Sequence, residues 1–193
     1  MGQKYTEISG RHIQLIQRQK IYFVATAAQD ERVNLSPKGL DTLRVLGPNR
    51  VAWLNLTGSG NETAAHLLES DRMTLMFCAF EGDPVVLRLY GHARLFHARD
   101  AEWNGLVQLF PSIPGSRQVV DMNVDLVQTS CGLGVPFFEY RGQRGQLEAW
   151  AEKKGKDGIE QYWRQKNQVS IDGKSTKIPG PDSAAGTGDE DVS

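Results

Sequence analysis

Short β-rich stretches joined by turns, with few helices between them, constrain the fold of this chain more than any other feature. In residues 120–126 four apolar side chains alternate with three polar ones, as in a strand with one buried face. Five more strands are predicted at residues 20–28, 32–35, 50–56, 72–80 and 84–96. Because turns rather than crossover helices connect most of these strands, the sequence predicts an antiparallel barrel or sandwich and not a doubly wound parallel sheet.

Four helices are predicted around these strands. They cover residues 8–19, 61–70, 98–110 and about 143–166. Gly155 and Gly158 are expected to break or kink the last helix, because glycine is a poor helix former. The fold expected from these patterns is mainly β with flanking helices.

The end of the chain differs in composition from the rest. Residues 172–193 contain five acidic and two basic residues, and only four residues there are apolar. Such a segment cannot bury enough apolar surface to offset the entropy that it would lose on ordering. We therefore expect one folded domain over residues 1–171 and a flexible acidic tail over residues 172–193.

Charge and hydropathy exclude several classes of function. The chain has 22 basic and 23 acidic residues and a net charge of −1, so no basic surface for nucleic acid is predicted. No stretch approaches the about 20 apolar residues of a membrane-spanning helix, and no secretory signal is visible at the start. Two cysteines without a C-x-x-C pair argue against a zinc site. We expect a cytoplasmic protein that binds neither nucleic acid, nor membrane, nor metal.

A glycine-rich polar turn, Thr-Gly-Ser-Gly-Asn-Glu-Thr, occupies residues 57–63 between a strand and a helix. Ser59 and Glu62 have the spacing of a capping box. The two glycines also permit close backbone approach, and the start of a helix attracts anions, so a phosphate could bind there. The two interpretations are compatible. The absence of a lysine in the motif excludes a P-loop, and the absence of a third glycine excludes a Rossmann fingerprint.

A second motif, Asn-Leu-Ser-Pro-Lys-Gly, occupies residues 34–39 at the end of a predicted strand. Pro37 has no amide donor, so the chain is expected to leave the sheet there. Lys38 would then lie on a turn, either as a solvated side chain or as a ligand for a phosphate or an anionic ring.

Two further segments contain residues that could take part in binding. Arg88 and Tyr90 share one face of an otherwise apolar strand, where Arg88 needs an anionic partner from the protein or from a ligand. In residues 129–138, glycines and a proline surround Cys131 and allow close approach to a flat group. No histidine lies near Cys131 in sequence, which argues against a Cys–His nucleophile.

Four segments, in this order, resemble the FMN-binding split β-barrel family related to pyridoxamine 5′-phosphate oxidase. They are NLSPKG (34–39), TGSGNET (57–63), FCAFEGDPVVLRLYG (77–91) and SCGLGVPFFEY (130–140). The resemblance covers residues 5–170 and implies a six-stranded antiparallel split β-barrel that forms a homodimer with FMN between the protomers. It implies an FMN-dependent oxidoreductase with an unassigned small-molecule substrate. The alternative is a related barrel that binds flavin, haem or the deazaflavin F420 without catalysis.

The resemblance also implies the positions of the FMN-binding residues. The ring edge is expected along residues 34–39 and the phosphate at Thr57 and residues 61–63, while Lys38 or Arg88 would supply positive charge. The full candidate set is Asn34, Leu35, Ser36, Pro37, Lys38, Gly39, Asn55, Thr57, Gly58, Asn61, Glu62, Thr63, Arg88, Ser130 and Cys131. No catalytic residue is implied.

Two departures separate this chain from the true oxidases of pyridoxamine phosphate. Glu62 and Thr63 stand where those oxidases have an Arg–Lys pair for the phosphate. Trp163 and Arg164 match their C-terminal substrate motif only superficially. The resemblance therefore implies a related flavoprotein rather than that particular enzyme.

Overall fold

The computed structural model describes residues 2–178 and contains one antiparallel sheet of eight strands. The strands are β1 (Gln3–Tyr5), β2 (Tyr22–Thr26), β3 (Asn34–Lys38), β4 (Leu43–Gly47), β5 (Arg50–Leu56), β6 (Arg72–Cys78), β7 (Val85–Phe96) and β8 (Ser116–Cys131). Four helices flank the sheet: α1 (Gly10–Arg18), α2 (Glu62–Leu67), α3 (Trp103–Val107) and α4 (Gln146–Lys166). The prediction of a mainly β fold with flanking helices is confirmed.

The sheet is organised around its longest strand, β8. From edge to edge the strand order is β3-β2-β6-β7-β8-β5-β4. One side of β8 pairs with β7, and the other side pairs first with β5 and then with β1. No ladder joins the edge strands β3 and β4 within residues 2–178, so the sheet is split rather than closed.

The main core covers one face of this sheet. Trp53 on β5 and Phe77 on β6 are among its largest fully buried side chains, and Leu15 and Ile16 of α1 pack against the same core. A second apolar cluster lies around α3. The predicted alternation in residues 120–126 is confirmed, since the apolar residues are buried or half-buried and the polar ones are more exposed.

Two strands were not predicted, and one proline was misinterpreted. β1 and β4 were missed, and β8 is much longer than its predicted part. Pro37 does not turn the chain out of the sheet but lies inside β3, opposite Phe23. β3 is an edge strand, and such a strand tolerates a missing backbone donor on its unpaired side.

The C-terminal part of the chain also differs from the prediction. Gly155 has φ 64° and interrupts α4, as expected, whereas Gly158 does not. Residues 172–178 were predicted to begin a flexible tail, but they pack against the domain. Thr176 and Ile178 are buried, and Asp172 forms an ion pair with Arg32. The remainder of the predicted tail, residues 179–193, lies outside the described residues.

Among residues 2–178, no helix combines the length and the apolar character that crossing a bilayer requires.

Gly91 lies at a bulge between β7 and β8, and the substitution Gly91→Ala should destabilise the sheet. A Cβ atom there would approach the Asn123 carbonyl oxygen to 1.9 Å, and that oxygen belongs to the backbone of β8. We expect the free energy of unfolding, measured in urea, to fall by about 3 kcal/mol.

Gly10→Ala is the matched control, because a Cβ at the first residue of α1 meets nothing within 4 Å. This variant should be as stable as the original protein or slightly more stable. Equal destabilisation by the two substitutions would contradict the assignment of Gly91 as an obligatory close contact.

Candidate functional site

A cleft of about 1560 Å³ lies between α1, the turn after β3, the loop from β6 to β7, and residues 138–147. Five of the candidate residues line it: Pro37, Lys38, Gly39, Thr57 and Gly58. The fold therefore brings two separate motifs, residues 34–39 and residues 57–63, to one cleft.

β3 presents its polar side chains on one face. Asn34, Ser36 and Lys38 alternate along the strand, and each lies opposite a buried residue of β2. Leu35 and Pro37 occupy the other face and are exposed. The strand thus directs three polar groups toward the interior and two apolar residues outward.

Lys38 carries a largely buried ammonium group. Its Nζ donates a hydrogen bond to Asn55 Oδ1 at 3.4 Å and lies 5.1 Å from the centroid of the Trp53 ring. Burial, reinforced by the positive charge of Arg117, lowers the pKa of Lys38 to about 8. The ammonium is therefore held in a setting that disfavours its charged form.

Arg117 on β8 is a second buried cation and is only 5% exposed. Its Nη1 donates to the Gly60 carbonyl oxygen at 3.0 Å and to Asn167 Oδ1 at 2.8 Å. Burial lowers the pKa of Arg117 to about 10. None of the ion pairs formed within residues 2–178 includes Lys38 or Arg117. Arg117 does not line the cleft, but its charge acts on Lys38, which does. Two such cations without a carboxylate partner favour an anionic ligand.

Neutral side chains extend this site from Asn55 into the sheet. Asn55 Nδ2 donates to Gln118 Oε1 at 2.8 Å, and Gln118 Nε2 lies 3.1 Å from His97 Nε2. Burial, reinforced by the charge of Arg99, lowers the pKa of His97 to about 4. The imidazole is therefore neutral at neutral pH and can accept the Gln118 hydrogen.

Several buried polar atoms in this region have no hydrogen-bond partner among the described residues. They are Ser36 Oγ, Trp53 Nε1, Arg117 Nε and both amide atoms of Asn61. Each unpaired buried polar group costs about 1–3 kcal/mol, and such groups are rare in native proteins. A polar ligand at this place would supply the missing partners.

The predicted capping box in the turn 57–63 is wrong. Asn61, rather than Ser59, is the residue before α2, and its side chain makes no capping hydrogen bond. The Glu62 carboxylate accepts instead from the backbone N–H of Ile171 at 3.0 Å.

The C-terminal part of the chain covers this turn. Trp163 Nε1 donates to Thr57 Oγ1 at 2.8 Å, and Asn167 Nδ2 donates to the Gly58 carbonyl oxygen at 3.1 Å. Thr63 is buried, and its hydroxyl accepts from Asn34 at 3.1 Å. Despite these contacts, Thr57 and Gly58 line the cleft, whereas residues 61–63 do not.

Arg88, Ser130 and Cys131 lie on β7 and at the end of β8. Arg88 Nη1 donates to Ser130 Oγ at 3.1 Å, so a hydroxyl rather than a carboxylate is its partner. Cys131 is a free, exposed thiol at the end of β8. The cleft lining includes none of these three residues, so this chain alone does not bring them to Lys38.

Sequence reasoning missed Arg117, Gln118 and His97. Arg117 and Gln118 precede the predicted strand at 120–126, and His97 follows the strand at 84–96. Polar residues at strand ends are ordinarily solvated, so nothing local marks these as buried. Only the register of β5 on β8, which pairs Asn55 with Gln118, shows their connection to the site.

Replacing Lys38 should stabilise the ligand-free protein. Because its pKa is lowered to about 8 from 10.5, the cost of burying the charge is fully present below pH 8. It is relieved as the pH rises from about 8 toward 10.5, since the folded protein loses the proton before the unfolded chain does. We expect Lys38→Met to raise the free energy of unfolding in urea by about 1–3 kcal/mol at neutral pH, with a smaller gain above pH 8.

The exposed lysine of α4 provides a control, Lys153→Met, which should leave the stability unchanged at every pH. If Lys38→Met is less stable than the original protein at neutral pH, Lys38 is not an uncompensated buried cation.

Known proteins are similar to this chain in sequence and in fold. The family model for pyridoxamine 5′-phosphate oxidase matches residues 8–131. The pyridoxamine 5′-phosphate oxidase family protein ustO of Aspergillus flavus is 34% identical over 187 residues, which cover 86% of this chain and 73% of the fungal protein.

Two solved structures have a similar fold. HupZ of Group A Streptococcus has a TM-score of 0.53 at 17% identity, covering 64% of this chain and 99% of its own. A Lactobacillus delbrueckii protein of the pyridoxamine 5′-phosphate oxidase type has a TM-score of 0.50 at 18% identity, covering 64% of this chain and 94% of its own. Since the family model spans more than half of the chain and the fungal relative most of it, this protein belongs to the pyridoxamine 5′-phosphate oxidase family.

Proposed function

We propose that this protein binds FMN and is a homodimeric oxidoreductase acting on a small-molecule substrate. The observation that carries the proposal is the pair of buried cations, Lys38 and Arg117, which have no carboxylate partner within residues 2–178. FMN combines a phosphate dianion with a planar ring whose edge needs hydrogen bonds. Family membership and the four motifs support the same cofactor.

The residues present fit such a cofactor. Lys38 at the cleft and the buried Arg117 would neutralise negative charge, and Ser36 would offer its unpaired hydroxyl group. Positive charge near a flavin ring would also favour its reduced, more negative form. Bound FMN would supply the electron-transfer chemistry, for which the protein needs no acid–base pair of its own.

The anion-binding role belongs to the buried cations rather than to residues 61–63. Glu62 would repel a phosphate, and none of residues 61–63 lines the cleft. Thr57 and Gly58, which do line the cleft, remain candidates for contact with the cofactor.

The purified protein should be yellow, and mass spectrometry of the heat-released ligand should identify FMN. Lys38→Met should weaken the binding of FMN to the ligand-free protein by about 10–100-fold, because a charge-assisted hydrogen bond contributes about 1.5–3 kcal/mol. Quenching of flavin fluorescence measures the affinity, and Lys153→Met is the control.

Absence of flavin binding, or equal affinity in Lys38→Met, would contradict the proposal. Bleaching of the bound flavin by NAD(P)H would support an oxidoreductase. A bound flavin that no electron donor reduces would instead favour a non-catalytic binding protein, and a different released ligand would favour haem or a deazaflavin.

The homodimer is proposed from the exposed face of β3. Leu35 on this edge strand is 62% exposed, and the neighbouring Val33 is also exposed. An open edge with exposed apolar residues is normally covered in a stable protein. The opposite face of β3 carries Lys38, so a second copy of the chain here would border the cofactor site.

Light scattering should give a mass of about twice the 21.4 kDa of one chain. Leu35→Glu would place a charge in the interface, and we expect it to give monomers and a weaker affinity for FMN. Leu68→Glu, at an exposed leucine after α2, is the control and should remain dimeric. A monomeric original protein, or a dimeric Leu35→Glu variant, would argue against this interface.

A further inference from the structure

A row of buried side chains connects the C-terminal segment to Asn34 through the interior of the protein. The side chains of Glu31 and His66 are 4% and 1% exposed, and Thr26 is 3% exposed. An acid and an imidazole are seldom buried together without an interaction that compensates for their lost hydration. The proposed binding chemistry leaves all three of these residues without a role.

The contacts form a continuous chain. His66 Nε2 lies 3.3 Å from Glu31 Oε2, and His66 Nδ1 lies 3.0 Å from Thr26 Oγ1. Asn34 Nδ2 then donates to Thr26 Oγ1 at 3.1 Å. At the other end, Lys174 Nζ lies 3.4 Å from Glu31 Oε1.

One order of donors and acceptors fits these contacts, with the Glu31 carboxylate as an acceptor and a single ring hydrogen on His66. A Glu31 carboxylate that is ionised has no hydrogen to donate. Its contact with His66 lacks hydrogen-bond geometry. Its negative charge nevertheless favours a ring hydrogen on the nearer nitrogen, Nε2. Nδ1 of the neutral ring is then an acceptor, so the Thr26 hydroxyl donates its single hydrogen to Nδ1. The Thr26 oxygen can still accept from the Asn34 amide.

This order determines how Asn34 is presented. Its two amide hydrogens are used by Thr26 Oγ1 and Thr63 Oγ1, both at 3.1 Å. Its carbonyl oxygen receives no hydrogen bond from the part of the chain that the structure describes, and Asn34 lies on the same face of β3 as Ser36 and Lys38. The only side-chain group that Asn34 has left for a ligand is therefore an acceptor. Asn34 does not line the cleft itself, so a ligand would reach it by extending along β3 from Lys38.

We propose that Glu31, His66 and Thr26 are positioning residues that hold the Asn34 amide in one orientation, with its carbonyl oxygen available to the ligand. The inference rests on the proposed function and specifies it further. The donor on the edge of a flavin ring is the imide N–H, so Asn34 selects a ring that carries this hydrogen.

The test compares FMN with FMN methylated at the imide nitrogen, each titrated into the ligand-free protein. The original protein should bind FMN about tenfold more tightly than the methylated compound, as expected for one lost hydrogen bond. Thr26→Val keeps the side-chain shape but removes the hydroxyl, so the ratio should fall to about twofold. Thr26→Ser retains the hydroxyl and should restore the ratio.

A purely structural role for Thr26 would weaken both ligands equally, and an unchanged ratio in Thr26→Val would overturn the proposal. Lack of discrimination by the original protein would overturn it as well. If the original protein binds neither compound, it is the proposed function that fails.

A second measurement needs neither a flavin nor a folded variant at Thr26. The ¹⁵N chemical shifts of the His66 ring in the ligand-free protein, assigned by their loss in His66→Gln, report the tautomer. We expect a neutral ring with hydrogen on Nε2 and an acceptor at Nδ1. Hydrogen on Nδ1 would reverse the order of the chain and overturn the proposal, whatever the outcome with flavin.

Discussion

Burial of two positive charges without an opposing carboxylate is the constraint on which the site depends. Lys38 and Arg117 come from β3 and β8, which are not neighbours in the sheet, yet the charge of Arg117 contributes to the lowered pKa of Lys38. Neutral oxygens of Asn55, Asn167 and Gly60 are their hydrogen-bond partners. These partners hold the cations in place but do not neutralise them, and an anionic ligand would remove that energetic cost.

The C-terminal segment packs against the glycine-rich turn. Trp163 and Asn167 contact its first residues, and the backbone of Ile171 engages Glu62. Residues 172–178 are mostly polar, yet they pack against the domain, where Asp172 and Lys174 find oppositely charged partners. Composition shows the low apolar content of this segment but not its partners in the fold. The prediction therefore placed the start of the flexible tail at residue 172, although residues 172–178 pack against the domain.

Strand prediction succeeded where apolar content or alternation marks a strand, and it failed where the rest of the fold decides. β5 was predicted with its observed bounds, because residues 50–56 are rich in apolar and aromatic residues and a turn follows them. β4 was missed because all five of its residues are only half-buried and carry no alternating pattern. Pro37 was misinterpreted because a proline is excluded from a central strand but tolerated on an edge strand, and strand order is a property of the whole sheet.

By itself the sequence determined the mainly β class and the family motifs, because these follow from local patterns in the chain. It predicted Lys38 on a turn, and only the strand pairing showed that Asn34, Ser36 and Lys38 share one face of an edge strand. Only the tertiary structure decided that the charge of Arg117 acts on Lys38, that Asn55 contacts Gln118, and that Glu31 is connected to Asn34 through His66 and Thr26. These contacts join residues far apart in the chain. They depend on strand order and register, which are set by the packing of the whole core and leave no mark in the neighbouring residues.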